Sequence, residues 1–197
     1  MLYTFQLNNL KREPIKAEDK WSKDIDKSYI HWKSIYSNTL LSTIDSKLRN
    51  FQYKYLMRLV TTNKLLLKYK LKMSNLCEFC NMHVETLKHL FWECIHTQHY
   101  WNEITHFLNS KHLDTNLNYE LISFGYTDVQ RNAKTILKNY IIFRAKYFIF
   151  INKCRNTIPT AIHFTNYLNK EIEIEKCIAL NKDKLESHES KWRLFTT

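Results

Sequence analysis

One glycine, Gly125, and two prolines, Pro14 and Pro159, are all that the 197 residues contain. Sandwiches and barrels of β-strands turn often and draw on both residue types at their turns, so this scarcity argues against them and makes helices the expectation. Loops that cradle phosphates with backbone N–H groups need several glycines, which excludes P-loop and Rossmann-type nucleotide sites; no small-molecule substrate is expected. Long apolar runs are missing too. The most apolar stretch, 140–151, is interrupted by Arg144 and Lys146 and is too short for a membrane span. The opening MLYTFQLNNLKR lacks the ordered basic, apolar and small-residue regions of a secretion signal, so a reducing, intracellular setting, cytoplasmic or nuclear, is expected. In that setting the five cysteines are not expected to form a disulfide framework.

What is present is apolar bulk and positive charge. Hydrophobic residues make up 44% and aromatics 14%, enough to offset chain entropy and fold a core without disulfides. The formal charge is +11, and it is unevenly placed. Residues 1–76 and 129–170 carry the excess, 77–128 is net acidic, and the stretches 46–77 and 129–170 contain no Asp or Glu. Such a distribution favours a polyanion, through phosphate neutralisation and counterion release. The plainer reading is that lysines solvate helix faces, and it applies to any one of them.

Apolar residues at Ile44, Leu48, Phe51, Tyr55 and Leu59 recur at helical spacing, with Asp45 or Ser46 placed to cap the start. On that helix Lys47, Lys54 and Arg58 fall on one strip beside the apolar stripe. A second short helix after Thr61-Thr62-Asn63 carries Lys64, Lys68, Lys70 and Lys72. Asp128 can cap a helix toward Lys153 whose first half presents Arg131, Lys134 and Lys138 on one face, and whose second half should be the most buried helix of the C-terminal part. Pro159 is placed to start a final long helix that packs through Phe164, Tyr167, Leu168, Ile174 and Ile178. The expected fold is all-α, an irregular helical bundle with an embedded zinc knuckle. Its segments are a linker or frayed start over 1–20, a basic helical segment over 21–72, a metal segment over 73–109, and a C-terminal helical segment over 110–197.

The most specific signal is LCEFCNMHVETLKHLFWEC, which reads C-x2-C-x8-H-x4-C at Cys77, Cys80, His89 and Cys94. Soft thiolates and an imidazole suit one zinc ion in a closed tetrahedron, with no open position for an activated water. On one continuous helix His89 and Cys94 would point about 140° apart, so the helix must break near Trp92 or Glu93 for both to reach the ion. The competing reading makes Cys77 and Cys80 buried thiols and His89 a core histidine; His83, His96 and His99 are lesser ligand candidates. Cys154 and Cys177 read as inert packing thiols.

These residues resemble a known family, the zinc-binding C-terminal region of reverse transcriptases from non-LTR (LINE-type) retrotransposons. The resemblance runs from KWSKDI and HWKSIY through SKLRNFQYKYLMRLVTTNKLLLKYKLKMSNLCEFC, ETLKHLFWEC and HYWNEI, and resumes with AKYFIF and EIEKCIALNKDKLESHESKW, covering Trp21 to Trp192. It implies a segment that follows the polymerase and assists RNA binding, with zinc on Cys77, Cys80, His89 and Cys94. No Tyr/Phe-x-Asp-Asp motif is present to hold polymerase magnesium, and 129–170 has no carboxylate for a nuclease. The leading expectation is therefore a non-catalytic module for RNA, with DNA as a second candidate, contacted through Lys47, Lys54, Arg58, Lys64, Lys68, Arg131, Lys134 and Lys138. The alternative is a protein-interaction module that docks on a polymerase core through Trp21, Trp32, Trp92 or Trp101.

Overall fold

A computed structural model describes residues 15–25, 30–127 and 132–196. The chain divides into two units, Met1–Ile30 and His31–Thr197. Among the described residues the first contributes one helix, α1 (Lys16–Ile25), which begins inside the segment expected to be a linker. The second contains α2 (Trp32–Ser42), α3 (Ser46–Leu56), α4 (Asn63–Lys68), a π-helical turn (His89–Glu93), α5 (Ile95–Ser110), α6 (Tyr119–Phe124), α7 (Ala133–Cys154), α8 (Ala161–Leu180) and α9 (Leu185–Thr196). Among the described residues the only extended pairing is a single antiparallel bridge between Leu76 and Val84. The all-α expectation holds, and among these residues no helix is long and apolar enough to cross a membrane.

Local chemistry sets the helix starts. Asp45 Oδ1 accepts the Lys47 N–H at 2.8 Å, and Thr62, Asn118, Asn132 and Thr160 cap α4, α6, α7 and α8 in the same way. The cap of α7 is thus Asn132; Asp128 and Arg131 lie outside the described residues. Pro159 sits just before the cap of α8, and α8 is not the last helix, because the chain reverses and continues as α9. Phe164 and Leu168 of α8 are buried as expected, whereas Ile174 and Ile178 are exposed.

The helix ends show how a chain with one glycine stops its helices. Arg58 has φ 59°, its N–H bonds to the Tyr55 carbonyl at 2.9 Å, and the Leu59 N–H reaches back to the Lys54 carbonyl at 2.7 Å. This is the Schellman closure, which places one residue in the left-handed region and satisfies the terminal carbonyls. Lys70, His112, Asn156 and Asp183 do the same after α4, α5, α7 and α8. Side chains other than glycine occupy every one of these positions. Closure at Met57 and Arg58 also explains why α3 is shorter than the expected 44–59: Ile44 and Leu59 fall outside it and are exposed.

Gly125, at the end of α6, is left-handed at φ 74°, and a Cβ there would lie 2.6 Å from Asn139 Oδ1 and 2.9 Å from Phe143. No other residue type fits against α7 so closely.

α7 is the central helix, packed by α2, α3, α6, α8 and α9. Its run Tyr140–Lys146 is buried, including both charges that interrupt the apolar stretch. Arg144 is 2% exposed and bonds Asp45 Oδ2 and Glu171 Oε2, each at 2.9 Å, along with the Tyr140 and Tyr167 hydroxyls. Burial opposes its charge, but Tyr140, Tyr167 and Glu171 outweigh it and hold the guanidinium above its ordinary value. Lys146 donates to the Ser123 carbonyl at 3.1 Å and lies 3.8 Å from the centre of the Tyr55 ring; burial pushes its pKa well down. Cys154 and Cys177 are exposed, so neither is a packing thiol.

Candidate metal centre

A short antiparallel stem builds one half of the site. The Glu85 N–H donates to the Asn75 carbonyl at 2.8 Å, and the Cys77 N–H to the His83 carbonyl at 2.8 Å. Within the loop the Asn81 N–H closes onto the Cys77 carbonyl at 2.9 Å, with Asn81 itself left-handed at φ 53°. Asparagine tolerates that conformation better than most residues, and the tight turn aims the sulfurs of Cys77 and Cys80 in one direction.

The other half comes from a helix that breaks where both ligands require it. Thr86 Oγ1 accepts the His89 N–H at 2.9 Å, and the chain winds through the π-helical turn until the Cys94 N–H bonds the His89 carbonyl at 2.9 Å. Cys94 is extended (φ −64°, ψ 133°) and also stands at the start of α5. The break falls at Cys94, next to the expected Trp92 or Glu93.

All four ligand atoms lie within 4.8 Å of one another. Zn–S bonds near 2.3 Å and Zn–N bonds near 2.0 Å in a tetrahedron set ligand–ligand edges of about 3.5–3.8 Å. Cys77 Sγ and Cys94 Sγ are 3.9 Å apart, and Cys80 Sγ and His89 Nε2 are 3.4 Å apart. The donor set and its spacing therefore fit zinc, bound through Nε2 of His89. His83 is exposed beside the site, its ring 5.3 Å from that of His89, and it is not among the converging ligands; nor are His96 and His99.

The bond between the two buried thiols moves them in opposite directions. Cys94 is lowered to about 5, first by the hydrogen bond from the Cys77 thiol, then by the N–H groups of His96 and Thr97 at the start of α5. Cys77 is raised because it holds the proton of that bond and is buried, although the N–H groups of Cys80 and Phe79 act the other way.

The core grips both halves. Leu90 and Phe91 in the π-helical turn are fully buried, and Phe91 meets the Tyr55 ring edge-on at 5.1 Å. Trp101 Nε1 donates to the Phe91 carbonyl at 2.7 Å, and Thr97 Oγ1 to the Leu90 carbonyl at 2.9 Å. Glu85, fully buried, accepts the N–H groups of Asn63 at 2.7 Å and Glu78 at 2.9 Å, and lies 3.5 Å from Lys153 Nζ. One carboxylate thus joins the cysteine turn, the start of α4 and the end of α7. Sequence reading missed it, since a lone acid in VETL carries no local signal.

The basic residues are less uniform than the sequence suggested. Lys47, Lys54, Lys64 and Lys68 are exposed, with no ion-pair partner among the described residues. Lys134 is half-buried. Lys138 Nζ is held by the Asp114 carbonyl at 2.6 Å and over the Tyr126 ring. Arg58 is half-buried and beyond the end of α3, so the strip it was expected to share with Lys47 and Lys54 stops short of it. Trp21 and Trp101 are buried, which removes both as anchors, while Trp32 and Trp92 are half-buried.

No curated protein matches the chain. Residues 18–101 match the family model described as zinc-binding in reverse transcriptase, a span that includes α3, α4 and every converging ligand. Over those residues the chain is similar to the zinc-binding region of reverse transcriptases, and its Cys77, Cys80, His89 and Cys94 cluster fits one structural zinc ion.

Proposed function

We propose that the chain is a non-catalytic RNA-binding module of a non-LTR reverse transcriptase, in which zinc fixes the fold and lysines on α3 and α4 contact phosphates. The observation that supports this reading is the state of Lys47, Lys54, Lys64 and Lys68: all exposed, none in an ion pair among the described residues, all on a stretch without a carboxylate. Unpaired cations on one acid-free segment are what a polyanion neutralises. The four-ligand site supports a structural role for the metal, since a closed tetrahedron offers no position for a reacting water. DNA shares the phosphate chemistry and is the second candidate ligand.

Charge reversal of these four lysines tests the reading. Affinity for RNA should fall and the slope of log K against log salt should flatten by about 0.7 per lost phosphate contact on single strands. Unchanged affinity and slope would remove the assignment. Docking on a polymerase core has its own support in Leu71, Met73 and Met82, which are 74%, 97% and 65% exposed around the metal segment. Salt-insensitive binding to a polymerase core, abolished by polar substitution of these three, would favour docking instead.

A further inference from the structure

The two acid-free stretches meet along one groove. Lys47, Asn50, Phe51 and Lys54 stand at i, i+3, i+4 and i+7 on α3 and so share one face. Across from them on α7 are Tyr147 and Phe150, and together these six residues line most of a cleft of about 250 Å³. None of its lining residues is acidic. The buried Phe51 ring backs the other two, 5.0 Å from Tyr147 and 5.5 Å from Phe150, while Tyr147 and Phe150 remain half-buried with part of each ring facing the cleft. Lys47 and Lys54 are separated by about 10 Å along the helix, so their ammonium groups bracket the aromatic floor.

An aromatic floor flanked by cations is the pattern that holds unpaired bases. Stacking needs an exposed π face, which a base inside a duplex gives to its neighbours. The volume lies below the roughly 300–1,000 Å³ of sites that engulf drug-sized ligands, and suits a flat ring entering from the side. We infer that this groove binds single-stranded nucleic acid, with a base against Tyr147 and Phe150, the flanking phosphates on Lys47 and Lys54, and Asn50 at the base edge. This inference rests on the proposed nucleic-acid function and adds that the strand is unpaired where it meets α3 and α7.

The test uses the full zinc-loaded chain with a 12-nucleotide oligouridylate, a 12-base-pair RNA duplex, and an oligonucleotide carrying 2-aminopurine. Tyr147→Leu with Phe150→Leu keeps apolar volume but removes the rings. It should weaken oligouridylate binding about fivefold or more and abolish 2-aminopurine quenching, leaving duplex binding unchanged. Lys47→Gln with Lys54→Gln, both at exposed positions, should reduce the salt slope for oligouridylate by about 1.4. If the ring variant is folded and binds the oligouridylate and the duplex as the native chain does, the groove inference is overturned while the basic-surface function stands. If the native chain binds neither probe, the function itself fails and takes the groove with it. Should the ring variant melt early, the lysine pair and Asn50→Ala decide: loss confined to the single strand supports the groove, and equal loss on both probes overturns it.

Discussion

Lys153→Met separates the zinc knuckle from the central helix with one change. Lys153 Nζ reaches from the last turn of α7 to Glu85 Oε1 at 3.5 Å and to the Thr61 carbonyl at 2.8 Å, and only 6% of the residue is exposed. Methionine keeps most of the stem volume and removes the charge. Glu85 is then a buried carboxylate with two N–H donors and no cation. Removing one partner of a buried pair costs about 3–5 kcal/mol; the bonds from Asn63 and Glu78 remain, which places the loss nearer 2–4 kcal/mol. In a chain of this length each kcal/mol moves the melting temperature by about 2–4 °C, so calorimetry should show a drop of roughly 4–16 °C. Because Glu78 lies inside the Cys77–Cys80 turn, chelator titration should also strip zinc at lower chelator concentration. Glu85→Gln and the double variant complete a cycle, with an expected coupling of at least about 1 kcal/mol. A native-like melting temperature for Lys153→Met, or strictly additive effects, would refute the idea that this pair joins the two parts.

Zinc removal should be visible at a distance: because the Trp101 indole bonds the Phe91 carbonyl of the π-helical turn, chelation should change tryptophan fluorescence and lower the melting temperature together. If chelated protein melts as the loaded protein does, the ion is not structural. Lys146→Met should stabilise the fold, because Gln52 Nε2 still donates to the Ser123 carbonyl at 3.0 Å once the buried amine is gone. Its folded pKa lies below its unfolded value, so the cost of burying it is present at neutral pH and is relieved as pH rises from the folded value toward the ordinary 10.5. The native chain should gain stability over that alkaline window and Lys146→Met should gain less; parallel pH–stability curves for the two would count against this account. Gly125→Ala should lower the melting temperature by several degrees, given the 2.6 Å approach to Asn139 and the left-handed backbone, and an unchanged melting curve would show that α6 can shift.

The metal ligands were legible because all four lie close in the sequence and the chemistry of sulfur and imidazole restricts what they can do. Helical class followed from the scarcity of glycine, and the cap at Asp45 was one of two adjacent positions, with Ser46, that the sequence offered. Helix ends were harder. Arg58, Lys70 and His112 close helices in a conformation usually left to glycine or asparagine, so nothing in their identity marks the stop. The same blindness put Arg58 on a helical strip it does not join. Interior charges were hidden for another reason: Arg144 is tied to Asp45 and Glu171, and Glu85 to Lys153, across separations that no local pattern records.

Those hidden charges bear on why a single ion can matter to a fold with an ample apolar core. The cysteine turn, residues 75–85, has one short pairing, exposed side chains at Met82 and Val84, and only Phe79 buried as an apolar anchor besides the ligand Cys77, so packing alone holds it weakly. What fixes it is polar: zinc at one end, and at the other the Glu85 carboxylate, which is costly to bury unless its donors are held in place. Each constraint lowers the cost of the other, because the ion sets the turn that presents the Glu78 N–H to Glu85, and Glu85 sets the turn that presents the two sulfurs. α7 enters this arrangement through Lys153 and the groove through Tyr147 and Phe150, two turns and one turn earlier on the same helix. Loss of zinc should therefore loosen the end of α7 that carries Tyr147 and Phe150, and if the proposed groove holds a strand, chelation should weaken that binding.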